Sequence, residues 1–136
     1  AEQLMGVPAM RWTEADGGQT LVYPRGPMGY HTFFLRSDAM GYLVSRENVL
    51  DMRHFARIQA GMTTDDVLRT LGPPVPAWTV YFKARDELVW EWRFCDDWGQ
   101  VARFDVLFDG MSGIVRTSYQ RPELRGFGLS SLSCGH

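Results

Sequence analysis

The run Gly61-Met62-Thr63-Thr64-Asp65-Asp66-Val67-Leu68-Arg69-Thr70-Leu71-Gly72-Pro73-Pro74 decides how the rest of the chain is read. Thr63 is a good helix N-cap, because its hydroxyl accepts from a backbone N–H that the first turn leaves without a partner. Asp66, three residues on, can answer it as the acid of a capping box, in place of the usual Glu or Gln. Asp65 and Asp66 also suit the positive end of the helix dipole. Met62 before the cap and Val67 behind it are placed for a hydrophobic staple. The helix runs to Leu71 and stops at Gly72-Pro73-Pro74. Upstream, Met52, Phe55, Ala56 and Ile58 recur at helical spacing. They predict another short helix near 52–57, closed by Gly61.

Downstream the period changes to two. Thr79-Val80-Tyr81-Phe82 reads as a strand, turned by Arg85-Asp86-Glu87. In 88–94, Leu88, Trp90, Trp92 and Phe94 share one face; Val89, Glu91 and Arg93 share the other. In 102–108, Ala102, Phe104, Val106 and Phe108 lie opposite Arg103, Asp105 and Leu107. Gly110-Met111-Ser112-Gly113 is a turn, and 114–119 is the last strand. Strands joined by short turns make an antiparallel meander with one face on helices and one on solvent.

The first half repeats this order. Leu4-Met5-Gly6-Val7-Pro8 lines up with Thr70-Leu71-Gly72-Pro73-Pro74, Leu21-Val22-Tyr23 with Leu88-Val89-Trp90, and 34–41 with 106–113. Each half reads as a helix ending in Gly-x-Pro, then antiparallel strands and a Gly-bearing hairpin. The expected fold is therefore α+β: two tandem helix-plus-antiparallel-sheet units, the first truncated at its N-terminus. The expected boundaries are 1–50, 51–121, and a flexible Gly/Ser-rich tail at 122–136.

The 136 residues carry a net charge of −2, 45% hydrophobic and 13% aromatic residues. That is one domain's worth of chain, able to bury a core without metal or disulfide. Of the 14 basic residues only Lys83 is a lysine. They are scattered, with no basic stripe interleaved with stacking aromatics, so nucleic acid is not an expected partner. No apolar run approaches the length of a membrane span. The opening at 1–6 reads as the last turn of a helix, so the natural N-terminus is expected further upstream, where a targeting segment or lipid anchor would not be visible in this sequence. Cys95 and Cys134 can pair in an oxidising compartment or remain two free thiols.

At 58–74 the sequence resembles a known family. Ile58, Gly61-Met62-Thr63, Asp66-Val67, Leu71-Gly72 and Pro74 carry the likeness. The aromatic strand at Trp90-Glu91-Trp92 and the strand 104–108 with its Gly hairpin extend it. Over 51–119 the chain is similar to the BamE (SmpA/OmlA) domain, and as a tandem it is similar to the β-lactamase inhibitor protein. The resemblance implies a non-catalytic accessory or scaffolding lipoprotein. It would face the periplasm, be anchored at the outer membrane, and bind a protein partner in the cell envelope. The alternatives are an inhibitor of a periplasmic or secreted enzyme, or a structural subunit of a larger complex.

No catalytic, cofactor or metal residues are expected. His31, His54 and His136 lack His-x-x-x-His spacing. Asp65-Asp66 is explained by capping and Asp96-Asp97 by a turn. Cys95 has no flanking His. Ser130, Ser131 and Ser133 lie outside any Gly-x-Ser-x-Gly elbow. The remaining signal is aromatic. Trp90 and Trp92 read as packing, whereas Trp78, Tyr81 and Trp98 fall near loops or strand ends. The expected protein-binding surface is Trp78, Tyr81, Arg85 and Trp98, with Arg93 and Arg103 as further rim arginines.

Overall fold

A computed structural model describes residues 6–25, 29–125, 130–131 and 134. The chain folds as two four-stranded antiparallel meanders. The first contains β1 (Met10–Thr13), β2 (Gln19–Pro24), β3 (Thr32–Ser37) and β4 (Leu43–Asn48), hydrogen-bonded in that order. Then come α1 (Met52–Phe55) and α2 (Thr64–Leu71). The second meander contains β5 (Val80–Phe82), β6 (Glu87–Cys95), β7 (Val101–Asp109) and β8 (Val115–Pro122), also in order. A small hairpin of β9 (Leu124–Arg125) and β10 (Ser130–Ser131) follows.

This corrects the expectation of two helix-plus-sheet units. The protein is mostly β, and α2 is its one helix of two turns or more among the described residues. Helical spacing at 52–58 sustains only a single turn. Arg57 N–H bonds His54 O at 3.0 Å and Ile58 N–H bonds Phe55 O at 3.1 Å, the tight three-residue pattern that ends a helix. Gly61 does not close that helix, whose C-cap is Ala56. It takes a φ of 96° and gives its N–H to Val115 O. The helix expected at 1–6 falls on residues outside those described, save Gly6.

The capping box at α2 forms as the sequence spells it. Thr63 accepts from Asp66 N–H at 3.1 Å, and Asp66 accepts from Thr63 N–H at 3.0 Å. The inner faces are also as the alternation spells them. Trp92, Phe94, Ala102, Phe104, Val106 and Phe108 join Val67 and Leu71 of α2 in one core. Val22 and Phe34 of the first sheet enter the same core, so α2 is packed by both sheets. The aromatic centre is dense: Phe55 stacks on Phe104 at 4.2 Å and meets Phe94 edge-on at 4.6 Å.

Gly72 is the seam between the sheets. Its φ of 74° disfavours any L side chain. A Cβ there would come within 2.9 Å of Thr32, 3.2 Å of Val22 and 3.4 Å of Phe34. On its other side its carbonyl accepts from Trp92 Nε1 at 3.2 Å. One residue thus touches the first sheet through its missing side chain and the second through its backbone.

Cys95 and Cys134 form a disulfide, so the two thiols are not free. Cys134 is buried, and its N–H bonds Gly99 O at 2.9 Å. The part of the 122–136 tail that is described is therefore tied to the β6–β7 hairpin of its own chain. The rest of that tail lies outside the described residues.

Candidate functional site

The outer face of the second sheet holds the chain's largest network of charged groups among the described residues. Its rows follow from the β6–β7 turn, because residues equally far from Trp98 face each other. Glu91 pairs with Asp105, and Asp105 with Tyr119 on β8. In the next row Arg93 pairs with Arg103, and Arg103 with Arg121. Like charges directly opposite are unfavourable on a sheet. Here acids on both sides neutralise the arginine row. Arg103 binds Glu91 at 3.0 Å and Glu123 at 2.9 Å. Arg93 grips Glu123 through two nitrogens, at 3.1 and 2.6 Å. Arg121 reaches Glu91 at 2.8 Å and Asp105 at 3.5 Å.

The charges are layered by depth. The carboxylates of Glu91, Asp105 and Glu123 lie deeper than the guanidinium groups that cover them. Two guanidiniums are also stacked on rings: Arg103 over Trp78 at 3.7 Å and Arg93 over Tyr30 at 4.7 Å. A ring beneath a guanidinium helps to hold it in place. Exposed Tyr119, Phe82 and Val80 lie on the same face. The surface presented outward is cationic and aromatic, with acids beneath.

Asp105 is the strained member. Burial pushes its carboxyl up to about 7, helped by the facing Glu91 and opposed by Arg121. Its Oδ1 has no hydrogen-bond partner among the described residues. Burial and Asp105 together raise the Tyr119 phenol. Glu123 goes the other way: burial would raise it, but the hydrogen bonds from Arg93 and Arg103 hold it below the usual range.

The sequence-predicted surface is divided by the fold. Trp78 lies half-buried on the outer face beneath Arg103. Arg85 is exposed at the β5–β6 turn, stacked on Phe82 at 4.6 Å and paired with Glu87 at 3.2 Å. Tyr81 is exposed but braces that turn, giving its hydroxyl to Asp86 at 2.6 Å. Arg116 locks the same corner by bonding Asp86 O at 2.8 Å and Asp109 at 2.7 Å, holding the Asp109 carboxyl down at about 2. Trp98 stands at the opposite end of β6, 87% exposed on a turn whose N–H groups are held by Asp96. Nine residues of β6 separate the two turns, roughly 25 Å of strand. Arg93 and Arg103, expected as rim residues, are central to the network. Glu91, Asp105, Arg121 and Glu123 were missed, since only carboxylates adjacent in sequence were weighed as pairs. Reflection about Trp98 would have found the first two.

His54 is buried between Asp51, whose carboxylate meets Nδ1 at 2.5 Å, and Glu47 at 3.6 Å from Nε2. Burial raises Asp51, yet the bonds from His54 leave it net lowered. His54 is thus a capping partner of the α1 turn. A cleft of about 360 Å³ opens between the sheets, lined chiefly by Pro24, Pro73, Pro74, Pro76, Leu50 and Trp92. Arg93 links it to the outer face. No group of three or more His, Cys, Asp or Glu among the described residues is placed to hold a metal. No helix among them is long and apolar enough to cross a membrane. The chain matches no family model, no curated protein and no solved structure.

Proposed function

We propose that the chain is a non-catalytic binding module of the cell envelope. In this reading it faces the periplasm, is held at the outer membrane by a lipid anchor upstream of Ala1, and contacts a protein assembly as an accessory or scaffolding subunit. One observation carries the binding reading: the outer face of the second sheet, where arginines and aromatics cover buried carboxylates. Arginine and aromatic side chains are the residues that interfaces favour, and the four strands of this sheet carry no lysine, which interfaces avoid. The disulfide supports an oxidising compartment. The likeness of 51–119 to the BamE domain supports the outer membrane in particular.

A mild-detergent pull-down from membranes, read by mass spectrometry, tests it. The protein should come with an envelope partner, and Tyr119→Ala with Phe82→Ala should cut recovery about tenfold at unchanged melting temperature, the effect of losing about 1.4 kcal/mol of contact. Recovery of the protein alone would sink the reading. A second reading, an inhibitor of a secreted enzyme, is favoured by Trp98, a large side chain displayed on a short, braced turn. In that case Trp98→Ala would abolish binding and the Tyr119 and Phe82 substitutions would spare it.

A further inference from the structure

Arg103 and Arg121 are direct partners in the β7–β8 register, so two cations stand side by side on the outer face. The acids beneath use only part of each guanidinium. Arg103 gives Nε to Glu123 at 2.9 Å and Nη1 to Glu91 at 3.0 Å. Arg121 gives Nη2 to Glu91 at 2.8 Å and Nε to Asp105 at 3.5 Å. Nη2 of Arg103 and Nη1 of Arg121 make no hydrogen bond among the described residues. Both arginines line an open cleft of about 350 Å³, together with Pro122 and Glu123. Trp78 beneath Arg103 helps to hold one side of it.

The charge around this cleft depends on one proton. Glu91 and Arg93 come from β6, Arg103 and Asp105 from β7, Tyr119 and Arg121 from β8, and Glu123 from just beyond it. The Tyr119 phenol is raised and stays neutral. Three arginines and three carboxylates therefore cancel when all are ionised. Asp105 is the acid that departs from this. It faces Glu91 in register, is 3% exposed, and has an unpartnered Oδ1. Burial pushes its carboxyl up to about 7, and once protonated it has a bond to donate to Glu91. The set then carries one net positive charge, which suits a monoanion better than a doubly charged phosphate.

We propose that the cleft between Arg103 and Arg121 seats one carboxylate of the protein partner, an Asp or Glu side chain from an acidic segment, and that the proton on Asp105 gates the seat. This rests on the reading of the outer face as a binding surface. A carboxylate offers one oxygen to each spare nitrogen, in charge-assisted bonds. With Asp105 protonated, the incoming carboxylate restores three acids to three arginines. With Asp105 ionised, it is a fourth acid with no cation to meet it. About nine-tenths of the chains hold the proton at pH 6 and about one-tenth at pH 8, so affinity should fall about tenfold between them.

Calorimetric titration of the intact, oxidised chain with acetylated, amidated hexaglutamate tests this, with hexaglutamine as the neutral control. The probe's side chains stay ionised at both pH values. Wild type should bind hexaglutamate alone at pH 6, and about tenfold more weakly at pH 8. Asp105→Asn should bind equally well at both. Arg121→Gln should bind about tenfold more weakly at pH 6 while its melting curve shows a folded chain. Arg57→Gln, the same change at an exposed arginine of another element, should bind as wild type does. No binding at pH 6, wild-type binding that ignores pH, or an equal loss in Arg57→Gln would overturn the proposal. Inorganic phosphate displacing the peptide at lower concentration than acetate would assign the seat to a phosphate and overturn it too. An envelope partner recovered equally with Arg121→Gln would overturn the seat and leave the binding reading standing. Gated peptide binding by a chain that is recovered alone from membranes would support the seat and sink that reading.

Discussion

The two meanders share strand order and a bulge just after the closing hairpin, at Val44 in the first and Arg116 in the second, yet they bury different things. The second sheet turns its apolar residues inward and covers its outer face with salt bridges. The first sheet has apolar residues on both faces: Val22 and Phe34 look into the shared core, while Leu21, Tyr23 and Leu35 form a second buried cluster behind them. At the closing hairpins the contrast reverses: Gly61 and Met62 bond Val115 on the outer edge of the second sheet, whereas among the described residues no backbone hydrogen bond from outside the sheet reaches Leu43 or Val44 on the first. Connectivity is therefore a poor guide to surface. What decides each face is whether another segment of chain is available to lie on it.

The sharpest way to break this comparison is a charge at equivalent positions. Val115→Lys should cost about 4 kcal/mol or more, because it buries an unpaired ammonium where 61–63 packs. Leu43→Lys, the same change on the open edge, should stay within about 0.5 kcal/mol. Chemical denaturation of both variants settles the matter, and equal costs would show the hairpins are not equivalent.

Next in size is the disulfide, which ties β6 of the second sheet to the C-terminal tail. Its 39-residue separation implies a loop-closure contribution of up to about 4 kcal/mol. Cys95→Ala with Cys134→Ala should lower the melting temperature by many degrees, and reduction of the wild type should reproduce the loss.

A smaller effect concerns Asp105. Its carboxyl is raised in the folded state, so the unfolded chain releases that proton at a lower pH than the native one. The stability it confers is complete in acid and is lost as pH rises through about 7. Asp105→Asn should therefore melt higher than the wild type at pH 8, by a few degrees, with the gap closing towards pH 5. Glu14 and Glu123 have the opposite sign. Hydrogen bonds from arginines hold both down, so their contribution fades as pH falls below about 4. The melting temperature of the wild type should peak between these limits. The smallest change of all is expected for Met111→Ser, an exposed tip with nothing above it.

Much of the second sheet was legible in sequence because its alternation is strict and its capping box is written in four residues. The faces of β6 and β7 came out residue by residue. The first half was readable only as an order of elements, since 19–24 and 32–37 are apolar on both faces and carry no clean period. Helices were over-read because a helical spacing over seven residues, as at 52–58, does not sustain more than a turn. The site was the least legible part. Trp78, Tyr81, Arg85 and Trp98 are neighbours in sequence, but nine residues of strand carry the last away from the rest. Glu91, Asp105, Arg121 and Glu123 are distant in sequence and meet only through register. Loop position identified exposed aromatics; it could not show which of them share a surface.

Gly72 has a consequence for how this protein tolerates change. Trp92 hangs from its carbonyl, and Phe34, Val22 and Thr32 crowd the space where its side chain would be. A Cβ at this position would lie 2.9 Å from Thr32, too close for either to stay in place. A substitution at Phe34 that shifts β3 must move the acceptor on which the Trp92 indole depends, although the two residues belong to different sheets. Their effects on stability should fail to add, and a loss in one sheet should be repairable from the other. Two meanders that could drift apart in sequence are held by this point to a shared fate.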